Sequence, residues 1–135
     1  MLISVAVDER SPRGAVSEHL EGSKYLLIVE TESKEVVRVL NCKGQDADMK
    51  CAQAAIDAGC EAIICGDIGR RAYDLLADNM ISRYYGWGAD ASQAVSLMQD
   101  NRLQLIREAR DGGHCHGKEH WAELQRCIET LDKKQ

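Results

Sequence analysis

Several features are missing from this sequence, and each absence excludes a class of protein. It has no apolar run of about eighteen residues, so a transmembrane helix is not expected. Acidic and basic side chains appear by residue 10 and no basic start precedes them, which argues against a secretory signal. Lysine and arginine (17) are outnumbered by aspartate and glutamate (22), and a net charge of −5 disfavours nucleic-acid binding through a broad basic surface. These absences predict a cytoplasmic protein with neither a membrane nor a nucleic acid as partner.

No two of the six cysteines form a CxxC pair, and the chain is long enough to fold without disulfides. Its 135 residues are 44% hydrophobic and 29% charged, as in an ordinary globular domain. We therefore expect reduced thiols. Cys60 and Cys65 are expected to be small buried hydrophobic side chains, since Cys65 ends an apolar run.

The hydrophobic pattern predicts the order β-β-β-α-β-α-β-α, with one segment, 103–110, left ambiguous. A short polar turn joins the second and third strands, so these two must form an antiparallel hairpin. The later alternation of helices and strands predicts parallel βαβ units and therefore an α/β fold with a mixed sheet. The predicted strands are 2–8, 24–31, 36–41, 61–65 and 80–87, and the predicted helices are 45–59, 70–79 and one that begins after Asp90.

Helix ends are also predicted from single residues. Asp90 is followed three positions later by Gln93, which is typical of a capping box. Asp46 or Asp48 is expected to cap the first helix, and Gly59 is expected to end it.

Three stretches of the chain resemble a known family. They are ISVAVDE (3–9), VSEHLEGSKYLLIVE (16–30) and AIICGDIGRRAYDLL (62–76). Over about residues 1–105 the chain resembles the dinitrogenase iron–molybdenum cofactor biosynthesis proteins, of the NifX/NafY kind. The resemblance implies a ribonuclease H-like three-layer fold, in which helices flank a five-stranded mixed sheet.

The resemblance also implies a site. His19 and Ser23 match the histidine and serine of the family's HFGRS-like loop, whereas Leu20 and Gly22 replace its phenylalanine and arginine. Asp67 replaces the second glycine of a glycine turn, and the family's histidine-rich stretch before the first helix is absent. The implied role is non-enzymatic: to bind, carry or help assemble an iron–sulfur or iron–molybdenum-type cluster, with cluster-assembly or acceptor proteins as partners. The cofactor-binding residues predicted for this role are His19, Ser23, Cys42, Gly66 and Gly69.

Cys42 and Cys51 flank the predicted loop before the first helix. Thiols brought towards His19 would make a soft sulfur and nitrogen pocket, suited to iron–sulfur or copper chemistry. Helical spacing favours a buried position for Cys51, and the place of Cys42 stays open.

Asp8 and Asp67 suggest a different class of function. Each follows a predicted strand, and in a ribonuclease H-like sheet these two strand ends are neighbours. Facing carboxylates at that point would bind Mg²⁺ for phosphoryl-transfer chemistry. Two carboxylates are fewer than such nucleases use, however, and Asp67 also fits as the cap of a helix. The carrier function is the favoured one.

The stretch GGHCHGKEHW at 112–121 holds three of the four histidines. If a helix begins near Gly117, residues three, four and seven apart share a face. Nitrogen, oxygen and sulfur ligands then line one stripe, a set that suits a divalent transition metal such as Zn²⁺, Ni²⁺ or Fe²⁺. The candidate metal ligands are His114, Cys115, His116, His120 and Cys127, with Glu123 on the same stripe.

A second stripe of the same predicted helix is apolar and is formed by Trp121, Leu124, Ile128 and Leu131. It predicts docking on the protein itself or on a partner subunit, and in the second case a homo-oligomer. The chain is thus predicted to consist of a cofactor-binding α/β domain at 1–111 and a metal-binding tail at 112–135. The alternative function is a divalent-metal sensor or interaction module that uses this tail.

Overall fold

The computed structural model describes residues 1–109 and Ile128, and this part of the chain forms a six-stranded mixed sheet with helices on both faces. Within it, no helix is both long and apolar enough to cross a bilayer. The strands are β1 Leu2–Val7, β2 Tyr25–Glu30, β3 Glu35–Asn41, β4 Ala62–Cys65, β5 Ser82–Tyr85 and β6 Gln104–Leu105. The α-helices are α1 Ala47–Asp57, α2 Arg70–Asp78 and α3 Ala91–Gln99, and a 3-10 turn spans Leu20–Gly22.

The order of strands across the sheet is β3-β2-β1-β4-β5-β6. β2 pairs antiparallel with β1 and β3, while β4 pairs parallel with β1 and β5. The predicted hairpin, the βαβ units and the mixed α/β class are confirmed. The predicted number of five strands is wrong, because Gln104 and Leu105 from the ambiguous segment pair antiparallel with β5. Two exposed residues are too few for alternation to reveal a strand.

The two faces of the sheet bury separate cores. α3 covers the first face, where Ile3, Val5 and Ile64 contact its apolar side. α1 and α2 cover the second face, which contains all four cysteines of residues 1–109. Cys51 and Cys65 have no exposed surface and Cys60 is 6% exposed, so their predicted burial is confirmed.

The helix ends differ in how well single residues predicted them. The side chain of Asp90 accepts a hydrogen bond from the Gln93 amide, and the Gln93 side chain accepts one from the Asp90 amide, which confirms the capping box. Asp46 precedes α1 with φ of 59°, a left-handed conformation, and its side chain caps nothing. α1 ends at Asp57, and Gly59 turns the chain away with φ of 75°.

Candidate functional site

The candidate site lies where the parallel strands β1 and β4 separate. They pair only over Ile3–Val5 and Ala62–Ile64. Beyond that point residues 16–20, here called the wedge, lie between the two strand ends. On one side the Ser17 amide donates to the Ala6 carbonyl at 3.0 Å. On the other side the Asp67 amide donates to the Glu18 carbonyl at 2.8 Å. The wedge therefore replaces the missing β1–β4 pairing with its own backbone hydrogen bonds.

Gly66 allows the wedge to pack closely against the end of β4, because glycine has no side chain. A Cβ atom at this position would overlap the backbone carbonyl groups of Ser17 and Glu18. Gly69, three residues on, is the N-cap of α2, and a Cβ atom there would meet only Asp48 Oδ2 at 4.0 Å. The two glycines of the GDIG turn thus have different duties, and only Gly66 is required by close packing.

His19 stands on the wedge between two carboxylates. Its Nδ1 lies 3.5 Å from Asp67 Oδ2 and its Nε2 lies 3.8 Å from Glu18 Oε1. The Nδ1 atom is buried and makes no hydrogen bond, although 41% of the side chain is exposed. A small rotation brings an Nδ1–H within bonding distance of the Asp67 carboxylate. Nε2 then carries the lone pair, and this is the arrangement in which a carboxylate orients a metal-binding histidine.

The neighbours of His19 in the loop hold its backbone. Leu20 is fully buried in the second core, and its amide donates to the Asp67 carbonyl at 2.8 Å. Ser23 is also buried, and its hydroxyl donates to the His19 carbonyl at 3.5 Å. Ser23 therefore supports the turn from within. Gly22 faces open space, since a Cβ atom there would meet nothing within 4 Å.

Cys42 is only 1% exposed and belongs to the second core. The pKa of Cys42 lies below its usual value because the Cys51 thiol and the nearby Lys50 ammonium favour its thiolate. The pKa of Cys51 lies above its usual value because the Cys42 thiol and burial disfavour its thiolate. Cys42 is thus a core residue, whereas the imidazole of His19 is partly exposed.

Asp8 and Asp67 do not pair as expected, because the wedge lies between the two strand ends that carry them. Asp8 instead accepts a hydrogen bond from the Ser17 hydroxyl at 2.8 Å. Among residues 1–109 and Ile128, no three histidine, cysteine or acidic side chains are gathered as a ready metal site. The geometry of a paired-carboxylate hydrolase is not formed here.

The charge around the site is mixed. Arg71, in the first turn of α2, forms an ion pair with Asp46 at 3.2 Å, and both side chains are well exposed. α2 begins directly after Gly69, so the unpaired amides of its first turn lie at the same end of the sheet as His19. One imidazole, two carboxylates and a helix N-terminus are therefore the polar groups of this region.

Most of the chain matches the model of one protein family. The model of the family described as dinitrogenase iron–molybdenum cofactor matches residues 1–101. The chain belongs to this family. The match covers the wedge, the GDIG turn and α3, and it ends before β6. No curated protein sequence gives a significant match.

Solved structures share the fold at low sequence identity. The apo form of the orange protein from Desulfovibrio gigas is 17% identical, with a TM-score of 0.71 over 78% of this chain and 92% of that one. A Thermotoga protein named provisionally as NifB is 21% identical, with a TM-score of 0.67 over 79% and 94%. A protein of Methanocaldococcus jannaschii named provisionally as a dinitrogenase is 23% identical, with a TM-score of 0.62 over 80% and 96%. At these identities the similarity supports the fold alone.

The predicted site residues within the described part of the chain lie in different parts of the fold. His19 lies on the wedge, Gly66 packs against it and Ser23 supports its turn, whereas Gly69 is the N-cap of α2 and Cys42 lies in the core. Asp67 was missed as a partner of His19, because nothing in the spacing of two residues so far apart signals contact. The tail ligands His114, Cys115, His116, His120 and Cys127 lie outside the described residues.

Proposed function

We propose that the protein binds a metal–sulfur cluster of the iron–molybdenum type, or a precursor of it, through Nε2 of His19. The observation that carries this proposal is the buried, unbonded Nδ1 of His19 beside the carboxylate of Asp67. A hydrogen bond from Nδ1–H to this carboxylate would hold the tautomer that leaves Nε2 free for a metal.

The surroundings of His19 suit a cluster that is bound and then transferred to another protein. A single imidazole gives one bond to the cluster, and such a bond exchanges readily with the ligands of another protein. The first-turn amides of α2, after Gly66 and Gly69, favour the negative charge of cluster sulfides. Arg71 adds a cation near the same helix end.

Carriage without catalysis is the role that these groups support. No hydroxyl or thiol nucleophile is paired with a base among the groups described around the wedge, and the one close Asp–Ser contact ties down a loop. The partners of a carrier are proteins that assemble the cluster or accept it. A cytoplasmic location is part of the proposal and stays a prediction.

The test is cluster loading of the full chain under anaerobic conditions. Ferrous iron and sulfide are offered, and bound iron, labile sulfide and visible absorption are measured after desalting. His19→Ala is expected to lose the bound iron and the visible absorption. Asp67→Asn keeps the ligand but not the orienting charge, so its affinity is expected to fall by about 10–100-fold.

A matched control separates this site from the tail. The triple variant His114→Ala, His116→Ala and His120→Ala removes every other histidine and leaves the wedge intact. It is expected to load iron and sulfide as the unaltered chain does. If the triple variant loses the cluster and His19→Ala retains it, the proposal is wrong and the tail is the metal site. Circular dichroism confirms that each variant is folded.

The alternative function, divalent-metal binding by the tail, is tested by the same variants. Zn²⁺ or Ni²⁺ binding by calorimetry is expected to survive His19→Ala and to disappear in the triple variant. Ile128, the one residue of the tail that the structure describes, is helical and only 8% exposed.

A further inference from the structure

Tyr25, the first residue of β2, has positively charged neighbours that the proposed cluster site does not use. Its side chain is half-buried against the first core. The guanidinium carbon of Arg10 lies 5.8 Å from the centre of the ring, and the ammonium of Lys43 lies 4.7 Å from it. Both cations are therefore within cation–π distance of one aromatic ring. The pKa of Tyr25 lies below its usual value because Lys43 favours the phenolate, and Arg10 and Lys24 add to this effect.

Strand pairing brings these side chains together from separate segments of the chain. In the sheet, Tyr25 lies between Val7 of β1 and Asn41 of β3. The chain leaves β1 towards Arg10 and leaves β3 towards Lys43, so the two cations approach Tyr25 from opposite sides. The Lys43 amide donates to the Asn41 side chain at 2.9 Å, which holds the backbone of Lys43 in place.

Two further cations lie beside this pair. Lys24 directly precedes Tyr25, and its carbonyl accepts a hydrogen bond from the Cys42 amide at 2.9 Å. Lys50 reaches back from α1, and its ammonium donates to the Lys43 carbonyl at 3.2 Å. All four cationic residues are exposed. The group, here called the Tyr25 surface, consists of Tyr25, Arg10, Lys24, Lys43 and Lys50.

No carboxylate forms an ion pair with these four cations within residues 1–109 and Ile128. The ion pairs of that part of the chain use the N-terminal amine, His19 and Arg71. Asp8, which follows β1, accepts its hydrogen bond from the Ser17 hydroxyl. The whole chain has a net charge of −5, so the Tyr25 surface is opposite in sign to the average of the molecule.

We propose that the Tyr25 surface is a docking site for an acidic segment of another protein, whose carboxylates pair with the four cations while its apolar atoms pack on the tyrosine ring. Tyrosine and arginine are enriched at protein interfaces, and complementary charge steers partners together. The inference does not depend on cluster binding. The surface nevertheless lies at the same end of the sheet as His19, because Val7 and Ala6 at the end of β1 accept hydrogen bonds from the amides of Lys24 and of Ser17 in the wedge.

The arrangement fits a segment with several carboxylates better than it fits other anions. The four cations come from both sides of Tyr25, so they suit charges spread along an extended segment and not one small anion. Nucleic acids are bound by cations that follow many successive phosphates, which an acidic chain does not offer. Basic clusters that bind membranes lie on an amphipathic helix or beside a membrane span, whereas three of these four cations lie outside helices.

The experiment titrates the full chain, isotope-labelled for two-dimensional NMR, with an octaglutamate peptide at low ionic strength. The amide shifts give both the affinity and the place of binding. The largest changes are expected at residues 8–10, 24–25 and 42–43. Added salt is expected to weaken the binding, because exposed charges are screened.

Variants identify the groups that bind. The double variant Arg10→Gln and Lys43→Gln is expected to lower the affinity by about 3–10-fold, since each exposed charge contributes a few-fold. Tyr25→Leu keeps an apolar side chain and every charge, and it is expected to weaken binding through loss of the aromatic ring. The matched control, Lys34→Gln and Arg107→Gln, removes two exposed positive charges elsewhere and is expected to change the affinity less than 2-fold.

Three outcomes would overturn the inference. The first is that the unaltered chain, whose spectrum shows it folded, does not bind the peptide. The second is that both double variants weaken binding equally, which would mean attraction to the molecule as a whole. The third is that vesicles of phosphatidylcholine and phosphatidylserine, or inorganic phosphate, shift the same amides while the peptide does not. The surface would then be a membrane contact or a small-anion site.

Discussion

At the residue scale, Gly66 shows how a missing side chain shapes the site. Its lack of a Cβ atom lets the carbonyl groups of Ser17 and Glu18 approach the end of β4. That approach brings His19 to Asp67. The sequence identified Gly66 as part of a glycine turn and as a cofactor-binding residue, but the segment that packs against it comes from an earlier loop.

Replacing Gly66 tests this close approach. Gly66→Ala is expected to lower the free energy of unfolding by about 1–3 kcal/mol, because the wedge must move to admit the methyl group. The measurement is urea unfolding followed by circular dichroism. Gly22→Ala is the control, since its new Cβ atom meets nothing within 4 Å, and its effect should stay within about 0.5 kcal/mol. Equal midpoints for the two variants would contradict the packing described.

The residues of the site differ in how far the sequence could reveal them. His19 and Ser23 were found because they match a family loop. The role of Ser23 was not found, since burial beneath the turn depends on the path of the whole loop. Asp67 was considered as a partner of Asp8 or as a helix cap, and only its 3.5 Å distance from the imidazole of His19 reveals the contact between them.

At the element scale, predictions from single residues succeeded where the two interacting residues lie close together in the sequence. The capping box of α3 needs only Asp90 and Gln93, and both predicted bonds are formed. The cap of α1 was expected from the residue type alone, and Asp46 instead takes a left-handed conformation and pairs with Arg71. β6 was missed because its two residues gain their strand conformation from β5.

The capping box provides the test at this scale. Asp90→Ala is expected to lower the free energy of unfolding by about 0.5–2 kcal/mol, because the Gln93 amide in the first turn of α3 loses its partner. Asp46→Asn suits the left-handed backbone of this position, removes the charge of an exposed ion pair and is expected to cost less than about 1 kcal/mol. Urea unfolding of both variants under the same buffer measures the difference. A larger loss for Asp46→Asn would show that α1, not α3, depends on the residue before its first turn.

At the scale of the whole molecule, the main elements of the sheet could be predicted from the hydrophobic pattern. The antiparallel hairpin and the βαβ units were predictable from periodicity, because each element repeats its pattern over several residues. Beyond the family match, the sequence predicted that an apolar stripe including Ile128 docks on the protein itself or on a partner subunit, but it did not indicate which surface of the protein. Ile128 belongs to the same core as α3 and the first face of the sheet, although it lies 27 residues after the match ends at residue 101.

Ile128 therefore tests whether the domain ends where the family match ends. Ile128→Ala is expected to destabilise the full chain by about 2–5 kcal/mol, because a side chain only 8% exposed leaves a cavity in the first core. Val37→Ala, at a position 50% exposed on β3, is the control and is expected to change stability by less than about 0.5 kcal/mol. Thermal unfolding by calorimetry compares them. A negligible effect of Ile128→Ala would mean that residues 1–109 are stable without it.

The contacts of the wedge also determine at which stage of folding the candidate site forms. Its bonds join Ala6 near the start of the chain, Asp67 in the middle and, through the Val16 amide, the carbonyl of Ala89. The β2–β3 hairpin can form from neighbouring residues, but the wedge must wait for strands and loops separated by many residues along the chain. In a nascent or partly folded chain, the imidazole of His19 is therefore not yet positioned beside the carboxylate of Asp67. If His19 binds the cluster as proposed, binding requires a chain that has folded through residue 89.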